Sequence, residues 1–166
     1  MKVAGAILAT ALALALQTTV ARVFTRVGGA IDLVLVVVVY IALTSGPVAG
    51  MLTGTFAGLV QDAMSTGVIG IGGLAKTIVG FITGVIGTQF IVVHSLPRFV
   101  VFFAATILHA VVFIGLYVLL DLRQFSPAYG AVAGRALGNA VIGIVAFEVM
   151  ERLPGSDGRR RMRGRV

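Results

Sequence analysis

The chain has 166 residues, of which 58% are hydrophobic and only 11% are charged, and its mean hydropathy is +1.08. A soluble domain carries about 25% charged residues, so this composition predicts an integral membrane protein. The absence of Cys excludes disulfides, thiolate metal sites and cysteine nucleophiles. The net charge of +7 is concentrated in a C-terminal tail, which argues against a nucleic-acid-binding surface.

The first predicted span is an apolar run from Val3 to Val20, rich in Ala and Leu. At roughly 1.5 Å per residue it is long enough to cross a bilayer. The alternative for residues 1–21 is a signal peptide, with Lys2 as its basic region and small residues near Ala21 as its cleavage site. We favour a retained span, because the run is long for a signal peptide and Gln17 begins a polar end typical of a span.

The second predicted span, residues 27–43, has a β-branched core at Val36–Val39 that resembles a buried strand. A helix is favoured, because an isolated strand leaves its backbone groups unpaired in lipid. Asp32 is expected near the start of this helix, where the helix dipole favours a carboxylate. A short uncharged turn, residues 44–46, leads into the third span at residues 47–64.

Glycine recurs every four residues through the third span, and the series ends in Asp62. Steps of four residues stay close to one face of a helix. Small residues on such a face let a second helix approach closely in lipid. The sequence therefore predicts a helix-packing or partner-binding face made of Gly46, Gly50, Gly54 and Gly58.

Three further apolar runs predict spans at residues 70–90, 99–120 and 129–150. The last of them carries a second glycine series, which we assign to the same kind of packing or partner face: Gly130, Gly134 and Gly138. His109, in the middle of the fifth span, is predicted to be a packed, hydrogen-bonded core residue, with a proton relay as the alternative.

The predicted fold is therefore all-α, with residues 1–153 forming one domain of six transmembrane helices and residues 154–166 forming a basic tail. With six spans both termini share a side, and the tail arginines place that side in the cytoplasm. The tail, from Arg159 to Arg165, is expected to contact anionic lipids at about 1 kcal/mol per residue. A purely topological role is the alternative, and the two roles are compatible.

No metalloprotease, serine-hydrolase or Walker motif is visible, so the sequence predicts no catalytic residue, metal site or cofactor. Charged residues inside the spans are more informative, because they are costly in lipid and usually face the bundle interior. The predicted topology brings Asp62, Lys76 and Arg135 to one outer level, together with Asp32 and Asp121. This grouping suggests that Asp62 pairs with Lys76 or Arg135. The alternative is that each side chain extends separately to the outer surface.

Several short motifs within residues 32–90 resemble the family of rod shape-determining protein MreD. They are Asp32-Leu33, Tyr40 to Leu43, Gly46-Pro47, the spaced series Gly54, Gly58, Leu59 and Asp62, then Gly70, Gly80-Phe81 and Gly84. The family often has Pro-Asp where this chain has Ile31-Asp32, and Gly-Tyr where it has Gly80-Phe81. The second difference removes a phenol that could form a hydrogen bond.

The resemblance implies a bacterial inner-membrane subunit of the cell-elongation machinery, similar in fold to the substrate-binding subunits of energy-coupling-factor transporters. The implied role is a non-enzymatic scaffold that binds MreC. It would help to couple MreB filaments to a peptidoglycan synthase made of RodA and a class B penicillin-binding protein. The alternative is a small-molecule binding subunit of a membrane transporter, with Asp62, Lys76 and Arg135 forming an outward-facing ligand site.

Overall fold

A computed structural model describes residues 3–23, 31–65, 67–89, 95–122 and 129–152. Over these residues the chain forms six helices and no strand: α1 (Val3–Val23), α2 (Leu33–Ser45), α3 (Pro47–Ala63), α4 (Ile71–Gln89), α5 (Ser95–Leu119) and α6 (Tyr129–Arg152). The prediction of an all-α chain with six helices is confirmed for this part of the chain. The tail from Arg159 to Arg165 lies outside the described residues.

Three of these helices, α4, α5 and α6, are long and apolar enough to cross a membrane. Shorter apolar stretches occupy Ile7–Thr19 and Leu33–Ser45. The 13 residues of α2 rise about 20 Å, less than the roughly 30 Å of a bilayer hydrocarbon core. Six complete spans therefore remain a prediction.

Two helix starts are set by identifiable residues. α2 begins at Leu33 because the carboxylate of Asp32 caps it, accepting a hydrogen bond from the amide of Leu35 at 2.9 Å. α5 begins at Ser95, four residues before the predicted start at Phe99. Pro97 falls in the first turn of α5, where an amide has no intrahelical partner and proline is tolerated.

α2 lies at the centre of the bundle and contacts all five other helices. Val34, Val38 and Ala42 on this helix are fully buried. A helix that is apolar on every side is buried in a protein core or spans a membrane, so that other helices or lipid cover it. The β-branched sequence of α2 therefore fits a central helix, with one hydrophobic cluster between α2, α4, α5 and α6 and a second between α1, α2 and α3.

The turn between α2 and α3 depends on Gly46. Its φ of 94° lies in the region that residues with a Cβ rarely adopt, and its amide donates to the carbonyl of Ala42 at 2.9 Å. No atom among the described residues lies within 4 Å of a Cβ built on Gly46. Gly46, predicted to belong to the packing face, therefore differs from the other three glycines by forming the turn.

α3 and α4 pack backbone against backbone, and they form the most extensive helix contact in the described chain. A Cβ on Gly54 would overlap the backbone carbonyl of Lys76, and one on Gly58 would overlap the Cα of Gly73. Gly50 faces Gly80 of α4 in the same way. The three glycines therefore occupy the position that small-residue packing requires, inside the bundle and against α4.

The glycines of α6 are placed differently. Gly130 and Gly134 are exposed, and no atom of the described residues would contact a Cβ on either. Gly138 is partly exposed. Gly143, further along α6, does pack closely, since a Cβ there would overlap the ring of Phe102. A partner-binding face therefore stays open for Gly130 and Gly134, and the role of Gly138 stays a prediction.

We expect Gly54→Leu and Gly58→Leu to lower the melting temperature of the detergent-solubilised protein. Either side chain would have to displace the backbone of α4, at roughly 1–3 kcal/mol by analogy with overpacked cores. Gly134→Leu is the matched control and should leave the melting temperature unchanged or slightly raised, because an exposed helical Gly is replaced by a better helix former. Unchanged melting of the α3 variants would contradict close α3–α4 packing.

Candidate functional site

Asp32 connects three helices at the start of α2. One carboxylate oxygen, Oδ1, accepts from the amide of Leu35, and the other, Oδ2, lies 3.0 Å from Nζ of Lys76 on α4. The backbone amide of Asp32 donates to Oδ1 of Asn139 on α6 at 2.9 Å. The residue is 6% exposed. Its charge is therefore balanced by Lys76 and by the unpaired amides of a helix N-terminus.

Lys76 extends this network to α5. Its side chain is 4% exposed, and Nζ lies 3.2 Å from Nε2 of His109 as well as 3.0 Å from Asp32. A lysine ammonium has only donors, so Nε2 of His109 is the acceptor in this contact. His109 is thus a packed, hydrogen-bonded core residue, as its position in the sequence suggested, and the relay hypothesis remains a prediction.

Asn139 closes the network between α6 and α5. It is fully buried, and its Nδ2 donates to Oγ1 of Thr106 at 3.2 Å. The hydroxyl of Thr106 donates in turn to the carbonyl of Phe102 one helical turn earlier, at 2.9 Å. Sequence reasoning did not assign Asn139 a role. The sequence did carry a signal for this role, because Asn139 is an amide within a predicted span. A polar side chain buried there needs a hydrogen-bond partner.

Asp62 accepts hydrogen bonds from the backbone at the start of α4. Its Oδ2 accepts from the amides of Gly70 and Gly73, at 2.9 and 3.0 Å, at the start of α4. The unpaired first-turn amides and the helix dipole favour a carboxylate there, and a Cβ on Gly72 would overlap it. Lys76, one of the two predicted partners of Asp62, pairs with Asp32 instead, and a pair between Asp62 and Arg135 stays a prediction.

The three predicted cluster residues nevertheless line one cavity of about 420 Å³: Asp62, Lys76 and Arg135. The lining also includes the polar residues Asp32, His109 and Gln61 and the apolar residues Phe113 and Ile114. Asp121, expected at the same level, is exposed just after the end of α5. The volume is within the range of small-molecule sites in proteins.

A second ion pair, between a buried and a partly exposed side chain, connects α5 and α6 away from the cavity. The guanidinium of Arg98, in the first turn of α5, pairs with Glu151 near the end of α6. The guanidinium also lies 4.3 Å from the centre of the Phe147 ring, a cation–π contact. Sequence reasoning used Arg98 only as a topology signal and missed its partner, because the two residues are 53 positions apart.

A family model described as rod shape-determining protein MreD matches residues 2–153. The comparison with curated proteins and the comparison with solved structures each found no match. The resemblance drawn from motifs between residues 32 and 90 is therefore confirmed, and it extends over nearly the whole chain.

Removing one charge of the Asp32–Lys76 pair should destabilise the protein strongly. Asp32→Asn keeps a side chain that can cap α2 but leaves Lys76 as an uncompensated buried charge, at about 3–5 kcal/mol. Lys76→Met should cost a similar amount, and the double variant should recover part of the loss. The measurement is the denaturation midpoint of the detergent-solubilised protein.

The control for this prediction is Glu148→Gln, which removes an exposed pair with Arg152 whose atoms are 4.0 Å apart. Exposed pairs contribute little to stability, so this variant should melt as the parent protein does. If Asp32→Asn lowers the denaturation midpoint no more than Glu148→Gln does, the buried pair does not stabilise the bundle.

Proposed function

The chain belongs to the MreD family of rod shape-determining proteins, and from this premise we propose that it is a non-enzymatic scaffold of the bacterial cell-elongation complex. The family supports a role in rod shape determination. Its match over residues 2–153 is the observation that carries the proposal, because it covers all six helices. The description of the family also favours this role over that of a transporter subunit.

We assign the contact with MreC to the exposed glycines of α6. Gly50, Gly54 and Gly58 are occupied by α4, so they are not available to another helix. A Cβ built on Gly130 or Gly134 would meet no atom of another described element, so a single-span partner could approach the backbone there. MreB, RodA and a class B penicillin-binding protein are proposed as further members of the same complex.

The proposed location is the bacterial inner membrane, with six spans and both termini in the cytoplasm. The length and hydropathy of α4, α5 and α6 support membrane insertion. The arginine-rich tail supports the orientation and a contact with anionic lipids.

Topology reporters fused after Leu153 and within residues 22–29 should report opposite sides of the membrane. The measurement is paired activity of a cytoplasmic and an extracytoplasmic reporter at each fusion point. Because positive residues are retained in the cytoplasm, the fusion after Leu153 should be cytoplasmic. An extracytoplasmic reading after Leu153 would contradict this topology.

The scaffold proposal predicts that the chain restores rod shape to a rod-shaped bacterium depleted of its own MreD family protein. The measurements are the aspect ratio of the cells and co-purification of MreC. Gly134→Leu should lower MreC recovery while the melting temperature stays unchanged, because the added side chain stands on an exposed face.

Gly5→Leu, at an exposed glycine of α1, is the matched control and should affect neither quantity. Equal loss of MreC from both variants would argue against α6 as the partner face. Failure of the unmodified chain to restore shape or to recover MreC would contradict the scaffold proposal itself.

A further inference from the structure

Each charged side chain that lines the cavity already has a partner within the protein. Asp32 pairs with Lys76 at 3.0 Å, and Asp62 accepts two amides at the start of α4. Arg135 likewise interacts with another group of the chain. A charged ligand would therefore lose its hydration on entering without meeting an uncompensated opposite charge. The lining favours a ligand that carries no charge.

Gln61 lines the same cavity with a carboxamide whose oxygen has no donor. Its Oε1 is enclosed by the protein and accepts no hydrogen bond from any described residue. Leaving a buried acceptor unpaired is unfavourable. The terminal torsion of a Gln side chain has a broad, two-fold preference, so the carboxamide can turn Oε1 toward a donor in the cavity. A ligand with an O–H group would supply that donor.

An apolar groove between α5 and α6 adjoins the cavity. The groove has a volume of about 650 Å³ and shares Ala110, Ile114 and Val132 with the cavity. Its lining includes Val111 and Val118, which are 62% and 59% exposed, so the groove is open to the surroundings of the protein. In a membrane those surroundings are lipid, and the shared residues mark a lateral route from the lipid to the cavity.

The depth of this junction also favours an uncharged head group. Ala110 and Ile114 lie about 8–14 Å before the end of α5 at Leu119, and half of the hydrocarbon core is about 15 Å thick. With α5 spanning the membrane as proposed, the junction lies inside the hydrocarbon core. A charge is costly at that depth, whereas the cost of burying a hydroxyl is offset by one hydrogen bond.

We propose that the cavity and the groove together bind an uncharged lipid with a hydroxyl in its head group, of which diacylglycerol is a simple example. The hydroxyl donates to Oε1 of Gln61, and an acyl chain lies in the groove between α5 and α6. The inference rests on the proposed membrane location. It is independent of the partner proposal, which concerns the exposed glycines of α6.

The test uses the absence of Trp from the chain, which makes a single introduced Trp an unambiguous reporter of nearby lipid. Val111→Trp places the indole at the groove. The matched control is Phe56→Trp on α3, which is 53% exposed and lines neither the cavity nor the groove. Each position lies about 10–12 Å before the end of its helix, so the two indoles have similar predicted depths.

Each protein is reconstituted in phosphatidylcholine nanodiscs that contain a small fraction of one lipid with brominated acyl chains. The brominated lipids are diacylglycerol, the acetyl ester of that diacylglycerol, phosphatidylcholine and phosphatidylglycerol, all with the same chains. The acetyl ester keeps the chains and the neutral charge but lacks the O–H group. Comparison of the first two lipids therefore isolates the hydrogen-bond donor.

In the Val111→Trp protein, we expect diacylglycerol to quench the indole about fivefold more effectively than its acetyl ester, the factor of roughly one hydrogen bond. The two phospholipids have charged head groups and should quench no better than the ester. The indole of the Phe56→Trp protein should show no preference among the four lipids, because it reports only on the surrounding bilayer.

A variant of the cavity, made in the Val111→Trp protein, identifies the recognising group. Gln61→Met removes the acceptor and should abolish the preference for diacylglycerol over its acetyl ester. Gln89→Met, at an exposed glutamine at the end of α4, is the matched control and should keep the preference. The lipid comparison on the unmodified cavity stands even if Gln61→Met fails to fold.

A second measurement needs no introduced side chain in the groove. Dioctanoylglycerol should raise the melting temperature of the unmodified protein in detergent, and its acetyl ester should raise it less.

Equal quenching by all four lipids in the Val111→Trp protein, together with equal melting temperatures, would overturn the proposal, as expected of a cavity that holds only water. A preference for diacylglycerol that survives Gln61→Met would overturn the assigned contact. If no brominated lipid quenches either indole, the proposed membrane location fails as well, so the two failures are distinguishable.

Discussion

The arrangement of the bundle depends on the buried pair between Asp32 and Lys76. Taking either charge out of water costs several kcal/mol, and only a partner at hydrogen-bonding distance offsets that cost. Here the partners come from three elements: the first turn of α2, Lys76 of α4 and, through the Asp32 amide, Asn139 of α6. A shift of any of these helices along its axis would leave a buried charge or amide unpaired. The pair therefore specifies the register of the helices more than it adds to their stability.

The close packing of α3 and α4 determines where Lys76 stands. Gly54 lies directly against the backbone carbonyl of Lys76, and Gly58 lies against Gly73 one turn earlier. Asp62 then joins the start of α4 to the end of α3 through two amides. The glycine face and the carboxylate that follows it thus position the helix that presents Lys76 to Asp32.

Hydropathy and residue spacing were sufficient to predict six helices, because both are local properties of the sequence. The positions of the predicted spans also gave the depth of each charged residue in the membrane, which grouped Asp62, Lys76 and Arg135 at one level. In the structure these three residues line one cavity. The choice of partners was not predictable, because it depends on residues far apart in sequence. Asp32 and Asn139 are 107 positions apart. Likewise, equal spacing could not distinguish Gly54, packed against α4, from Gly134, which is exposed.

The face proposed for MreC and the buried network lie on the same turns of α6. Arg135 lines the cavity, and the adjacent Gly134 lies on the exposed face assigned to MreC. Asn139, one turn after Arg135, connects the same helix to Asp32. Because the network fixes α6 against α2 and α5, the exposed face is presented by a helix whose position is set from inside the bundle.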